Sequence, residues 1–65
     1  MVTVMIETIG LDMRPLYVAK DKILGMKQKD GNPQQSVLIM VCGTKNEEWV
    51  INESVQIFRV KYDNA

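Results

Sequence analysis

Apolar residues in this chain fall into short runs separated by polar, turn-forming segments. The first run, Val2–Ile9, is rich in β-branched residues, and apolar residues dominate both of its alternating faces. This pattern predicts a strand that is buried on much of both sides. The second run, Met13–Ala19, contains Pro15, which cannot donate to a β-ladder. We therefore expect this strand to lie at a sheet edge or to begin after the proline.

Two further strands are predicted on either side of a polar segment. Residues Ile23–Lys29 alternate between two faces, and Gly25 within them indicates a bulge or a sharp bend. Asp30–Pro33 is a strong turn signal, because Asp-Gly tolerates the positive φ that hairpins need. The most apolar run, Ser36–Cys42, has the length of a strand rather than of a helix.

The last third of the chain begins with a hairpin and ends in an ambiguous tail. A turn is predicted at Gly43–Asn46, followed by a strand at Glu47–Asn52. We predict one helical turn at about Glu53–Gln56. Because the tail has strong β character, a last strand is predicted after it, at Ile57–Tyr62. The alternative is a short α-helix that runs through Phe58.

Five or six short strands joined by tight turns, with one helical turn before the last, are typical of a small all-β barrel of the SH3 or Sm type. The prediction is a single domain spanning residues 1–65. A chain this short buries only about 60% of the surface that its unfolded form exposes. One cysteine allows no internal disulfide, and the lack of histidine disfavours structural zinc. We therefore expect a homo-oligomer, with the strand edge near Pro15 as one place where another chain can add.

Charge and hydropathy narrow the range of partners. Eight basic and eight acidic residues give a net charge of zero, whereas proteins that bind duplex DNA usually carry a basic excess. The first ten residues lack the features of a signal peptide, and no stretch approaches the length of a membrane span. Together with the single free cysteine, these features predict a cytoplasmic protein that binds neither duplex DNA nor a membrane.

The sequence contains no recognisable arrangement of catalytic residues. It has no histidine for proton transfer near neutral pH. Cys42 ends the most apolar run, where a buried thiol is expected rather than a nucleophile. Glu47 and Glu48 are adjacent, so on a strand they point to opposite faces and cannot act as a carboxylate pair. We therefore expect no enzymatic activity, no metal site and no cofactor.

The polar segment Lys27–Gln35, which lies between two apolar runs, is the strongest candidate for a binding site. Lysine attracts phosphate as a point charge, arginine can hold it bidentately, amides recognise base edges, and aromatic rings stack on bases. The alternative is a solvated hairpin tip, with the aromatic residues in packing roles. The predicted ligand-binding residues are Arg14, Tyr17, Lys27, Lys29, Asn32, Gln34, Gln35 and Trp49.

The order of these features resembles the FlbD or SwrD family of flagellar regulators. The segments that carry the resemblance are "VMIETIG", "YVAKDKI" and "VLIMVCGTKNEEWVINESVQIF". The chain departs from that family in having a longer "KDGNPQQ" segment in place of a short "NGK" turn. The resemblance implies a regulatory module that binds a protein partner. A second likeness, of "ILGMK" and "VLIMV" to the central strands of the RNA-binding CsrA family, lacks the basic pattern at the chain ends that reads RNA.

Small, neutral, oligomeric β-proteins with polar loops are also similar in type to phage-encoded inhibitors that sequester cyclic nucleotide signals of bacterial immunity. By that analogy, the preferred interpretation is a non-enzymatic homo-oligomer that sequesters a small anionic ligand, such as a nucleotide immune signal, in the host cytoplasm. The alternative is an FlbD-like regulatory module that binds a bacterial host protein.

Overall fold

The computed structural model describes residues 3–65, which form two β-sheets and one α-helix. The elements are β1 (Met5–Ile9), β2 (Pro15–Ala19), a 3₁₀ turn (Lys20–Lys22), β3 (Ile23–Lys29), β4 (Asn32–Cys42), β5 (Lys45–Ile51) and α1 (Val55–Asn64). β1 pairs with β2, and the other three strands form an antiparallel sheet in the order β3-β4-β5. The 3₁₀ turn joins β2 to β3, and α1 packs against β1, β3 and β4. The chain is therefore mostly β, as its sequence predicts.

One backbone hydrogen bond outside the strand ladders links the two sheets. The N–H of Asn52 donates to the C=O of Ile9 at 2.7 Å, which attaches the chain just after β5 to the outer edge of β1. Within residues 3–65 the strand ladders remain two separate sheets, and no closed barrel is detected. None of the helices in the same range is long and apolar enough to cross a membrane.

The tail is helical, so the predicted strand at Ile57–Tyr62 is wrong. Ser54 caps α1, and its side chain accepts a hydrogen bond from the N–H of Ile57 at 3.3 Å. Phe58 is fully buried, and Tyr62, one turn further on, packs against the same core. Burial of this face against both sheets outweighs the β propensity of the segment. The alternative prediction, a short helix through Phe58, is closer, although α1 continues to Asn64.

β1 is shorter and less buried than its sequence predicts. The predicted strand Val2–Ile9 begins at Met5, and Val2 lies outside the described residues. Ile6 and Thr8 point into the core and are fully buried, whereas Met5 is half-exposed. Only one face of the strand is therefore buried, because β1 and β2 cover the core as a single layer.

The polar segment between β3 and β4 is mostly strand rather than a loop, and its role in ligand binding stays a prediction. The turn contains only Asp30 and Gly31, and Gly31 has a φ of 77°, which glycine adopts without strain. β4 begins at Asn32 rather than at Ser36. The register then shifts, so that Pro33–Gln35 have no partner on β3 or β5. Proline is tolerated in such an unpaired stretch.

The other strand predictions agree with the structure except at their ends. β2 begins at Pro15, as expected for an edge strand. The pairing of β3 with β4 shifts between Ile23 and Gly25, which confirms the predicted irregularity at the glycine. β5 starts at Lys45, two residues early, because the turn before it contains only two residues. The core between the sheets and α1 is built from Ile6, Val18, Ile23, Leu38, Met40, Ile51 and Phe58.

Candidate functional site

An open groove lies between β1 and α1. Its volume is about 290 Å³ and its lining is mainly apolar. This volume is just below the range of about 300–1,000 Å³ that is typical of small-molecule pockets. It therefore suits a docked side chain better than a large cofactor. The lining residues are Met5, Ile6, Glu7, Lys61, Asn64 and Ala65.

The apolar lining of the groove continues onto the neighbouring part of α1. Ile57 lies one turn before Lys61, and Val60 lies one turn before Asn64, so both flank the groove. Their side chains are 53% and 59% exposed, and Met5 on the opposite wall is 51% exposed. We call the groove together with Ile57 and Val60 the β1–α1 surface.

A polar network fixes α1 to β1 beneath this surface. The Lys61 ammonium donates to the backbone C=O of Glu7 at 3.1 Å and also to the carboxylate of Glu53, with which it forms an ion pair. The fully buried hydroxyl of Thr8 donates to the same carboxylate at 2.7 Å. Because Glu53 itself is buried, this network holds the two walls of the groove in place.

The residues of this network were missed by the sequence analysis. The backbone C=O of Glu53 also accepts a hydrogen bond from the buried hydroxyl of Ser36 at 2.6 Å, so one residue ties α1 to both sheets. The "ESV" segment that supports the FlbD-type resemblance therefore has structural roles here, since Ser54 caps the helix. The pattern gave little signal for them, because Thr8 follows Glu7 and Ser36 follows Gln34 and Gln35, so both resemble ordinary polar strand positions.

Two of the predicted binding residues of the β3–β4 hairpin, Lys27 and Asn32, have side-chain partners within the chain. Lys27 forms an exposed ion pair with Glu48, with Nζ and Oε2 separated by 3.6 Å. Lys29 is paired across the turn with Asn32, whose side-chain oxygen accepts a hydrogen bond from the N–H of Gln34 at 3.1 Å. The charge of Lys27, predicted to attract phosphate, is therefore partly compensated by a carboxylate.

Arg14, Tyr17 and Trp49 lie on other parts of the molecule. Tyr17 on β2 donates its hydroxyl to Glu7 at 3.0 Å, and this bond to a carboxylate raises the pKa of the phenol. Trp49 on β5 donates its indole N–H to Glu47 at 3.1 Å. No hydrogen bond or ion pair within residues 3–65 joins any of these three residues to the hairpin lysines. These contacts do not link the predicted residues to one another, and their role in ligand binding stays a prediction.

A second, more polar pocket lies where the hairpin meets the start of α1. Its volume is about 260 Å³, and Gln34 is the member of the predicted binding set that lines it. The N–H groups at the start of a helix favour an anion or another acceptor. We call this feature the amide pocket, and its lining residues are Gln28, Pro33, Gln34, Ser54, Val55 and Gln56.

The lone thiol is partly buried and packs against the core, close to its predicted position. Partial burial raises the pKa of the Cys42 thiol, and a hydrogen bond with Glu47 raises it further. The thiol is therefore protonated near neutral pH and is a weak nucleophile. In the part of the chain that the structure describes, no three His, Cys, Asp or Glu side chains are placed to hold a metal ion.

No family model, curated protein or solved structure matches the chain. The resemblances to FlbD-type regulators and to phage inhibitors therefore stay predictions. The features of the described residues that can carry a function are the β1–α1 surface, the amide pocket and the strand edges.

Proposed function

We propose that the chain is a non-catalytic interaction module that binds a protein partner at the β1–α1 surface. The observation that carries this proposal is the apolar groove that continues onto the exposed side chains of Ile57 and Val60. An exposed apolar area with polar groups at its rim is typical of protein interaction sites. Glu7 and Lys61 supply such a rim. A protein partner is also what the FlbD-type resemblance implies.

The shape of the groove indicates how the partner binds. A volume of about 290 Å³ admits one or two large apolar side chains, in the way that anchor residues fill a pocket at the centre of an interface. The network of Glu53, Thr8 and Lys61 holds the walls in place before binding, which lowers the cost of ordering them. The partner is expected to present an apolar anchor flanked by polar residues.

Val60→Glu is expected to weaken partner binding at least about tenfold, because it places a charge on the apolar part of the β1–α1 surface. The melting temperature is expected to change little, since Val60 is 59% exposed. Partners are captured from a bacterial lysate with an amino-terminally tagged chain, and the affinity of the purified partner is then measured by calorimetry. The tag is kept away from Ala65, which lines the groove.

The matched control is Leu24→Glu, because Leu24 is also 59% exposed but lies on β3, which contributes no residue to the groove. The control is expected to bind the partner as tightly as the unmodified chain. Equal losses from Val60→Glu and Leu24→Glu would show that the β1–α1 surface is not the binding site.

Three further features belong to the same proposal. The bond between Asn52 and Ile9 brings the end of β5 to β1, which supports an SH3- or Sm-like relation between the two sheets. The module acts in the cytoplasm, which fits its unpaired thiol. It also self-associates, which fits a short chain that leaves large apolar side chains such as Met13, Leu24 and Val60 exposed.

A second candidate function is the sequestration of a small anionic ligand, such as a nucleotide signal, by a phage-encoded inhibitor. The observation that favours it is the amide pocket, where three glutamine side chains meet the start of α1. Phosphate groups would lie at the helix start, and the glutamine amides would bind a base or a ribose. The lysines predicted for this role do not line the pocket.

Gln56→Ala is expected to weaken nucleotide uptake at least about tenfold if the amide pocket is a nucleotide site. The measurement is native mass spectrometry with a panel of linear and cyclic nucleotides, in which a fixed number of ligand masses per chain is expected. Gln35→Ala is the control, because Gln35 is a half-buried glutamine next to Gln34 that does not line the pocket. A chain that takes up none of the panel, or an equal loss from both variants, would remove this candidate.

A further inference from the structure

The outer edge of β1 forms hydrogen bonds with the rest of the chain, whereas the outer edge of β2 pairs with no other strand among residues 3–65. On β1, the outward C=O of Ile9 accepts a hydrogen bond from Asn52, and that of Glu7 accepts one from Lys61. β2 has β1 as its one ladder neighbour among residues 3–65. The outer edge of β2 therefore presents backbone groups that can pair with another strand.

Hydrogen bonds at both ends of the hairpin show which groups of β2 point outward. Gly10 donates to the C=O of Arg14, and Lys20 donates to the C=O of Val4, so these two residue pairs are hydrogen-bonded pairs. Antiparallel pairs alternate between bonded and non-bonded types, and the register is continuous between these ends. The residues whose backbone groups face away from β1 are therefore Pro15, Tyr17 and Ala19.

We propose that two copies of this chain form a twofold dimer in which their β2 strands pair antiparallel, with Tyr17 opposite the partner's Tyr17. This inference rests on the self-association included in the proposed function, and it names the surface and the symmetry. The register places Pro15 opposite the partner's Ala19, so the two hairpins join into one four-stranded sheet. Twofold pairing of identical surfaces is the commonest form of homo-oligomer.

The backbone of β2 complements itself in this register. Each Tyr17 donates its backbone N–H to the C=O of the partner's Tyr17, so this pair forms two hydrogen bonds. Each Pro15 C=O accepts a hydrogen bond from the N–H of the partner's Ala19. Pro15 has no N–H to return. The Ala19 C=O needs none, because Ala19 is the N-cap of the 3₁₀ turn and its carbonyl accepts the first bond of that turn. The missing N–H of the proline therefore leaves no acceptor unpaired in this register.

Charge separates β2 from the other exposed edges. Residues Pro15–Ala19 carry no charge. β3 carries Lys27 and Lys29, and β5 carries Lys45, Glu47 and Glu48, so self-pairing of either strand would bring charged side chains into the interface. Both β3 and β5 are outer strands of their sheet, so the comparison is between equivalent edges. β2 is thus the edge without charge along its paired segment, and like charges, Arg14 and the partner's Lys20, meet only at the two ends of the pairing.

The exposed face beside β2 adds apolar area to the interface. Tyr17 is 58% exposed, and Leu11 and Met13 in the turn before β2 are 57% and 70% exposed. Lys20, which follows the strand, is held by the backbone C=O of Ala65 at 2.9 Å and lies over the ring of Tyr62. Its charge is therefore committed to α1. Because the paired segment is short, we expect a weak dimer of small interface area.

The test replaces Tyr17, which lies at the twofold axis, with a basic or an acidic residue. Tyr17→Lys and Tyr17→Glu each place like charges opposite one another and remove the aromatic pair, so each variant alone is expected to dimerise about tenfold more weakly than the unmodified chain. An equimolar mixture of the two places opposite charges together and is expected to form a heterodimer. Native mass spectrometry and sedimentation equilibrium measure both, between about 1 μM and 1 mM chain.

The control is Leu24→Lys, which adds the same charge at a similarly exposed position on β3, outside the β1–α1 surface. It is expected to leave the dimer intact, and circular dichroism checks that every variant is folded. Selective formation of the mixed dimer supports the proposal. A monomeric unmodified chain, an assembly larger than a dimer, or unchanged dimerisation of Tyr17→Lys would overturn it. Partner capture at the β1–α1 surface is measured on the same samples, so failure of the dimer and failure of the binding site are separate results.

Discussion

Phe58→Ala is expected to lower the free energy of unfolding by about 3–5 kcal/mol. The Phe58 side chain is fully buried and belongs to the cluster that joins both sheets to α1. Its removal loses apolar burial and leaves a cavity, which rigid strands on both sides cannot fill. Small domains have total stabilities of about 5–15 kcal/mol, with short chains near the lower end. A large unfolded fraction is therefore expected at 37 °C.

Urea denaturation followed by circular dichroism measures this effect. Ile57→Ala is the matched control, because Ile57 is the adjacent residue on α1 but is 53% exposed. Its expected cost is no more than about 1 kcal/mol, as is usual for an exposed position. If both variants were equally stable, α1 would not be packed on the sheets through Phe58.

Lys61→Met is expected to lower the free energy of unfolding by about 2 kcal/mol. The variant leaves the Glu53 carboxylate buried, with Thr8 as its remaining side-chain donor. Removing one member of a fully buried ion pair typically costs about 3–5 kcal/mol. The expected loss is smaller here because the Lys61 side chain is 38% exposed and part of its charge is already hydrated.

The double variant Glu53→Gln, Lys61→Met isolates the role of charge. The amide keeps nearly the same shape and can still accept the hydrogen bond from Thr8, so most of the stability lost in Lys61→Met is expected to return. Arg59→Met is the control, because the Arg59–Asp63 pair is exposed on both sides and should contribute at most about 1 kcal/mol. A double variant as unstable as Lys61→Met would show that packing of the lysine stem matters, rather than its charge.

The strands were predictable because their signals are local. Pro15 and Gly25 mark the start of β2 and the irregularity in β3, and the structure shows both. The helix was harder to predict, since Ile57–Tyr62 has strong β propensity and only packing against two sheets makes it helical. A 3.6-residue spacing was nevertheless present, with Val55, Phe58 and Tyr62 on one face.

The candidate site was less predictable than the fold. Polar residues near a predicted turn indicated the binding site in the sequence. In the structure, a register shift places one of them, Gln34, in an irregular segment of β4. The groove depends on β1 and α1, which are far apart in the chain and meet through Thr8, Glu53 and Lys61. Contacts over such separations leave no periodic signal, so only the structure brings Met5 next to the helix.

The position of β4 between two neighbours has a consequence for long-term solubility. Its segment Ser36–Cys42 is apolar, uncharged and seven residues long, the composition that stacks readily into cross-β fibrils. In the native sheet, β3 and β5 pair with β4 on either side, and Lys27, Glu47 and Glu48 act as gatekeepers on these outer strands. β5 has β4 as its one ladder neighbour among the described residues, so a local opening that frees β5 exposes an edge of β4 while the rest stays folded. Fibril formation is therefore expected to follow the population of this opening rather than complete unfolding.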